Sequence, residues 1–142
     1  MKYIYTATFI PNEDNTKFYC RVPDLPGCIA TGNSIDNAIE MITDAASGWL
    51  VVAEDEGNSI PKATPQCDLD IPYNAICSII CIDTVVYRAA TDTRAVRKNV
   101  SLPAWMANLA EKQGVNCSQV LQNSLMQLFD TNMQCGSKIT TK

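Results

Sequence analysis

Residues 94–129, RAVRKNVSLPAWMANLAEKQGVNCSQVLQNSLMQLF, decide the fold that the sequence predicts for the C-terminal part of the chain. Pro103 lacks a backbone N–H and suits the first turn of a helix, so it separates a strand, RKNVSL, from a helix, AWMANLAEKQ. Gly114 ends that helix, and Asn116 and Ser118 offer N-caps for a second helix. Apolar residues recur at helical spacing along one face of this second helix: Val120, Leu121, Leu125, Leu128 and Phe129. The stretch therefore predicts one basic strand followed by two short helices.

A strand and two helices of this length cannot form a stable monomer. Helices this short are marginal in water, and a unit of roughly 36 residues buries too little apolar surface to fold alone. Two copies that pair their strands and interlock their helices would share one core. The sequence therefore predicts that dimerisation is part of the fold.

Charge divides the 142-residue chain into two parts. Residues 1–92 carry thirteen acidic and five basic side chains, a net charge of −8, whereas residues 93–142 carry two acidic and six basic side chains, a net charge of +4. The basic part suits a polyanion, and the acidic part suits a cationic protein surface. We therefore expect two small domains with different partners.

The seven cysteines stand at spacings that do not suit a metal site, because no CxxC pair and no histidine occur in the chain. We expect buried thiols in a reducing cytoplasm, with Cys117 at a helix N-terminus as the candidate for redox sensitivity. The N-terminal MKYIYTATFIP alternates like a strand and lacks the pattern of a secretory signal, and no run is long enough to span a membrane. No cofactor and no metal are expected.

The N-terminal part predicts an α+β unit with the order βββαβ. Residues 3–10 alternate with a period of two, and the short turn PNEDN joins them to a second strand that directs Phe18, Cys20 and Val22 inward. CIATG forms a third strand, and a long amphipathic helix runs from about Ile35 to Glu56, begun by Ser34 and closed by Gly57.

The remainder of the N-terminal part predicts a strand and a linker. The segment NAICSIICIDTVVY is apolar on both faces, as in a central strand, and RAATDT is composed like a linker. Whether Val85–Arg88 continue the strand is left open by the sequence. Trp49 on the long helix is expected to belong to the core.

Abundant carboxylates raise the alternative of a metal-dependent nuclease, which needs several acids that converge on metal ions. Asp83 is the only acid inside a predicted strand core. The others lie in turns or on the solvent face of the long helix, and the chain has no histidine and no Gly-rich phosphate loop. We therefore expect a protein that is not an enzyme.

The basic strand carries a pattern suited to DNA. Arg97, Asn99 and Ser101 share one face, and Val100 and Leu102 share the other. Arg and Asn read guanine and adenine edges through paired hydrogen bonds, and a two-stranded ribbon fits the major groove. A solvated edge strand is the alternative explanation. The attached helix–Gly–helix pattern favours DNA binding.

Both parts of the chain resemble one known family. FYCRVPDLPGC, ATGNSIDNAIEMITDAASGWL and EDEGNSIPKAT are similar to the signature of HicB antitoxins, and VRKNVSLPAWMANLAEKQGVNCSQVLQNSLMQLF resembles the ribbon-helix-helix domain that many members carry at the C-terminus. The resemblance covers about residues 1–130.

The resemblance implies a partial ribonuclease-H-like βββαβ domain without nuclease activity, which binds and blocks a HicA-type mRNA-cleaving toxin. It also implies a ribbon-helix-helix domain that represses the toxin–antitoxin operon by binding operator DNA as a homodimer or dimer of dimers. In this comparison Arg97, Asn99 and Ser101 take the base-reading positions, and Asn116 and Ser118 take the phosphate-contacting start of the second helix. No motif marks toxin-contacting residues.

The predicted domains are residues 1–92, which bind the toxin, residues 93–132, which bind DNA and dimerise, and a flexible tail, residues 133–142. Two alternatives remain. One is a stand-alone transcriptional regulator with a sensing N-terminal domain, and the other is an active nuclease with a DNA-binding module. A neighbouring reading frame that encodes a short basic protein with a catalytic histidine would favour the antitoxin over both.

Overall fold

A computed structural model describes residues 1–134, with only the backbone described for residues 130–134. The chain divides into two compact units, Met1–Asp92 and Thr93–Lys142. The first unit contains strands β1 (Lys2–Pro11), β2 (Phe18–Arg21), β3 (Ile29–Gly32) and β4 (Ile76–Asp83), and helices α1 (Ile35–Glu56) and α2 (Thr84–Thr91). The second contains α3 (Ala104–Lys112) and α4 (Cys117–Gln134). The expected α+β class is confirmed.

The four strands form one antiparallel sheet in the order β3-β2-β1-β4. The predicted hairpin of the first two strands is present, with Phe9 opposite Cys20. The prediction of a central strand within residues 74–87 is wrong, because β4 lies at the edge of the sheet and pairs only with β1. The prediction assumed that apolar residues on both faces of the strand would be buried. Ile79, on the face away from α1, is instead 61% exposed.

Helix α1 covers one face of the sheet, and its limits match the prediction. Ser34 caps the N-terminus by accepting a hydrogen bond from the Asn37 N–H, and Gly57 closes the C-terminus at a φ of 67°. The buried core joins α1 to the sheet and to the loop after β2 through Tyr5, Ala7, Phe9, Cys20, Val22, Leu25, Cys28, Ala38, Ile42, Ala46, Leu50, Ile80 and Ile82. Trp49 is half-buried at the edge of this core and donates its indole N–H to the Pro26 carbonyl at 3.1 Å.

The predicted linker RAATDT is wrong for most of its length, because its residues up to Thr91 belong to α2. Asp83 starts this helix by accepting hydrogen bonds from the Val85 and Val86 N–H groups. Arg88, in the second half of α2, attaches the helix to α1 by hydrogen bonds to Glu54 and Asp55. An eight-residue helix is too short to be stable without such contacts.

Within its described residues, the second unit has two helices and no buried core. Residues 92–103 form no regular secondary structure in the single chain, so the predicted strand RKNVSL has no partner there. Of residues 93–129, only Ala110 is half-buried, and the rest are exposed. The predicted flexible tail, residues 133–142, overlaps α4 at its first two residues, and its remainder, 135–142, lies outside the described residues.

Candidate functional site

The predicted DNA-binding residues lie in two places within the second unit. Arg97, Asn99 and Ser101 are exposed on the irregular segment before α3. Asn116 and Ser118 lie together at the start of α4, where the Asn116 Oδ1 accepts the Gln119 N–H at 3.2 Å and caps the helix. Their exposure leaves all five accessible in the single chain.

The second unit also carries an apolar groove of about 340 Å³ between the irregular segment and the two helices. Val100 and Leu102, which alternation assigns to the face opposite Arg97, are both part of its wall. The lining residues are Val100, Leu102, Met106, Ala110, Val115, Cys117, Val120, Leu121 and Ser124. Several large side chains nearby are at least 40% exposed, among them Trp105, Leu125 and Phe129. Such a surface is typical of a subunit that completes its core in an oligomer.

Several carboxylates of the first unit have structural partners. Asp24 accepts hydrogen bonds from the Thr64 N–H at 3.0 Å and the Thr64 hydroxyl at 2.6 Å. Asp83 caps α2 and lies 3.9 Å from Lys2 Nζ. Among the residues that the structure describes, no group of three or more His, Cys, Asp or Glu side chains is arranged to hold a metal ion.

A polar network joins α1, α2 and β1 around Glu54. The Tyr3 hydroxyl donates to Glu54 Oε1 at 3.0 Å, and the buried Thr84 hydroxyl approaches the same oxygen at 2.9 Å. Arg88 Nη2 lies 3.2 Å from Glu54 Oε2 and 2.7 Å from Asp55 Oδ1. Burial, followed by the hydrogen bond and the charge of Glu54, raises the pKa of Tyr3 to about 12.

Sequence reasoning missed this network because its members are far apart in the chain. The acids at the end of α1 oppose the helix dipole, and the sequence offered no basic residue in the last turn to compensate them. Arg88, which the sequence placed in a linker, supplies the positive charge. The hydrogen bonds to Asp55 are the main cause that raises the pKa of Arg88.

The expectation of buried thiols is confirmed for two cysteines of the first unit and is wrong for Cys67 and Cys81, which are exposed. Cys20 and Cys28 are buried in the core, and burial raises the pKa of Cys20 and raises that of Cys28 to about 11. Cys117 is exposed beside the start of α4, and no comparable burial protects it. Its predicted redox sensitivity stays a prediction.

A second groove, of about 530 Å³, lies in the first unit between α1 and the loop after β2, and we call it the α1 groove. It is lined by Gly27, Cys28, Ile29, Ala45, Gly48, Trp49, Val52, Ala53, Glu56, Asn58 and Ser59. Ile29 and Val52 are 55% and 54% exposed at its rim. The only trace of this groove in the sequence is Val52, an apolar residue on the otherwise polar face of α1.

Comparison with known proteins identifies the family. Residues 5–123 match the family model described as HicB-like antitoxin of bacterial toxin–antitoxin system. The match covers most of the chain and extends across both units, so the chain belongs to the HicB-like antitoxin family. The curated proteins contain no significant match.

Solved structures of similar fold include a chain of the toxin–antitoxin complex from Streptococcus pneumoniae. It is 18% identical, with a TM-score of 0.58, and the alignment covers 89% of this chain and 99% of that chain. The antitoxin HicB of Burkholderia pseudomallei is 19% identical, with a TM-score of 0.48 and coverage of 89% and 96%. A chain of the HicA3 and HicB3 toxin–antitoxin complex is 22% identical, with a TM-score of 0.46 and coverage of 57% and 99%. The described helices include none that is both long and apolar enough to cross a membrane.

Proposed function

We propose that this chain is the antitoxin of a type II toxin–antitoxin system, which binds and neutralises a HicA-type mRNA-cleaving toxin and represses its own operon by binding operator DNA in the cytoplasm. The family match across residues 5–123 carries the proposal, because it includes all but the first four residues of the sheet domain and most of the helical unit. An antitoxin requires a toxin as its partner. The HicA type is the class that the resemblance implies.

Toxin binding is assigned to Met1–Asp92. This unit contains its own buried core, and its charge of −8 suits a partner that must bind RNA and therefore carries a cationic surface. The sheet with its one long helix supports a partial ribonuclease-H-like domain without nuclease activity. The structural roles of Asp24, Asp83 and Glu54 support the absence of catalysis, since these acids are engaged in capping and hydrogen bonding.

DNA binding is assigned to a ribbon-helix-helix dimer, or dimer of dimers, built from residues 93–132. The exposed apolar surface of α3 and α4 supports a shared core between two chains. Pairing of the segment around Val100 with the same segment of a second chain would place Arg97, Asn99 and Ser101 on the outer face of a ribbon, toward base edges. Asn116 and Ser118 would present the start of α4 to a phosphate.

Growth rescue tests the proposal against its main alternative, a stand-alone regulator with a sensing N-terminal domain. The HicA-type protein from the neighbouring reading frame is expressed in a host whose growth it stops, and the full chain is induced from a second plasmid. An antitoxin restores growth and binds the toxin directly. Failure of the full chain to restore growth, with operator binding intact, would favour the stand-alone regulator.

A further inference from the structure

The exposed side of α1 carries a single ridge of residues spaced four apart. Asp36, Glu40 and Asp44 come first, Gly48 and Val52 follow, and Glu56 ends the row. Residues at this spacing are neighbours on a helix surface and form one continuous ridge. The ridge is acidic at both ends, and its apolar interval, Gly48 and Val52, opens into the α1 groove.

The acids of this ridge differ from the other acids near them, because they have no cationic partner. Within residues 1–129, where side chains are described, the ion pairs use Glu54, Asp55 and Asp83, and none involves the four ridge acids. Glu40 and Asp44 are also like charges four residues apart, an arrangement that weakens an isolated helix. Glu56 opposes the dipole at the end of α1. Asn58 Nδ2 donates to Glu56 Oε2 at 2.7 Å, but no cation of the described unit forms an ion pair with the four ridge acids.

The apolar interval has the form of a docking pocket. Trp49 lines the groove and is held by its hydrogen bond to the Pro26 carbonyl, and the exposed Val52 and Ile29 stand at the rim. A groove of about 530 Å³ suits the insertion of a large side chain from a partner. The flanking acids select a partner whose inserted apolar residue is surrounded by Lys or Arg.

We propose that the α1 groove and its acidic ridge are the docking surface for the cationic, RNA-binding surface of the toxin, an inference that rests on the function proposed above. An mRNA-cleaving protein needs such cations to hold its polyanionic substrate. A second copy of this chain does not suit the site, because symmetric packing would bring the same acidic ridge against itself. Binding at this surface would therefore compete directly with RNA.

A matched pair of substitutions tests the docking surface in the full chain. Val52→Arg fills the groove and places a positive charge where it would repel a basic partner. The control, Val86→Arg, makes the same change on α2, at a side chain that is 64% exposed and lies outside the groove. Titration against the purified cognate toxin should show at least about 30-fold weaker binding for Val52→Arg and less than about threefold change for Val86→Arg.

Glu56→Lys separates binding from folding. A lysine at the end of α1 complements the helix dipole, so the thermal midpoint should stay the same or rise. Toxin affinity should fall by about tenfold, and the dependence of that affinity on salt should weaken.

The docking surface would be overturned, and the proposed function left intact, if Val52→Arg and Glu56→Lys bound the toxin as tightly as the unmodified chain. A change in self-association with unchanged toxin affinity would identify a second copy as the occupant and would also overturn it. If the unmodified chain does not bind the toxin at all, both proposals fail.

Discussion

Gly32 lies where β3 approaches α1 closely. A Cβ atom at this position would lie 2.5 Å from the Ala38 backbone N and Cα, so the helix or the strand would have to move. Gly32→Ala should lower the free energy of unfolding by about 1–3 kcal/mol in a denaturant titration.

Gly48→Ala is the matched control for that substitution. Its Cβ would lie 3.4 Å from the Tyr87 hydroxyl, which is a van der Waals contact, and alanine is the better helix former. This variant should be more stable by about 0.5–1 kcal/mol. Equal stability of both alanine variants would mean that β3 and α1 are not in the described contact.

Ionisation of Tyr3 should lower the stability of the first unit at alkaline pH. Its pKa is raised from 10.0 to about 12, so the folded state favours the neutral phenol. This contribution to stability is complete below pH 10 and is lost as the pH rises from about 10 to 12. Unfolding titrations should show that Tyr3→Phe flattens this decline. An unchanged alkaline decline in Tyr3→Phe would show that another group causes it.

Arg88 should hold α2 against α1. Arg88→Ala removes charge-assisted hydrogen bonds to Glu54 and Asp55 and a hydrogen bond to the Val51 carbonyl. Because the Arg88 side chain is 37% exposed, solvent screening limits the expected loss to about 1–2 kcal/mol. Hydrogen exchange should show faster exchange in α2 than in α1, and Arg88→Lys should recover part of the loss. Uniform protection in Arg88→Ala would contradict this role.

Substitutions on the two faces of the proposed ribbon, residues 97–102, should affect DNA contact and dimer stability separately. Arg97→Ala should weaken operator binding by about 1–3 kcal/mol for each site it contacts, without changing the thermal midpoint. Val100→Ala should lower dimer stability by about 1–3 kcal/mol, because Val100 would pack in the shared core. Operator titrations and thermal melts distinguish the two. Unchanged operator affinity of a folded Arg97→Ala dimer would remove the main support for DNA reading by the ribbon.

The elements that the sequence predicted well are those with local signals. Ser34 and Gly57 mark both ends of α1, and alternation marks β1 and β2. The position of β4 was missed because an apolar pattern on both faces does not distinguish a central strand from an edge strand. Helix α2 was missed because its stability comes from Arg88, whose partners lie more than thirty residues away. The predicted strand RKNVSL is absent from the single chain, and in the proposed dimer it would form only by pairing with a second chain.

The two units differ in whether they bury a core of their own. Met1–Asp92 buries a core of its own, including Phe9, Ile42 and Leu50, and can therefore fold alone. Thr93–Lys142 exposes its apolar residues within the described range, which supports the proposed dimer. The candidate toxin-binding surface could not be found by sequence, because the α1 groove combines the loop at Gly27 with one ridge of α1.

The proposed antitoxin function is tested most directly by an RNA cleavage assay of the cognate toxin in the presence of residues 1–92 alone. We expect this fragment to stop cleavage at about one fragment per toxin molecule, as the full chain does, because the proposed docking surface lies entirely in the acidic unit. Inhibition by the full chain but not by an excess of the folded fragment would show that neutralisation requires the helical unit and dimerisation. Continued RNA cleavage with both proteins in excess would contradict the antitoxin function itself.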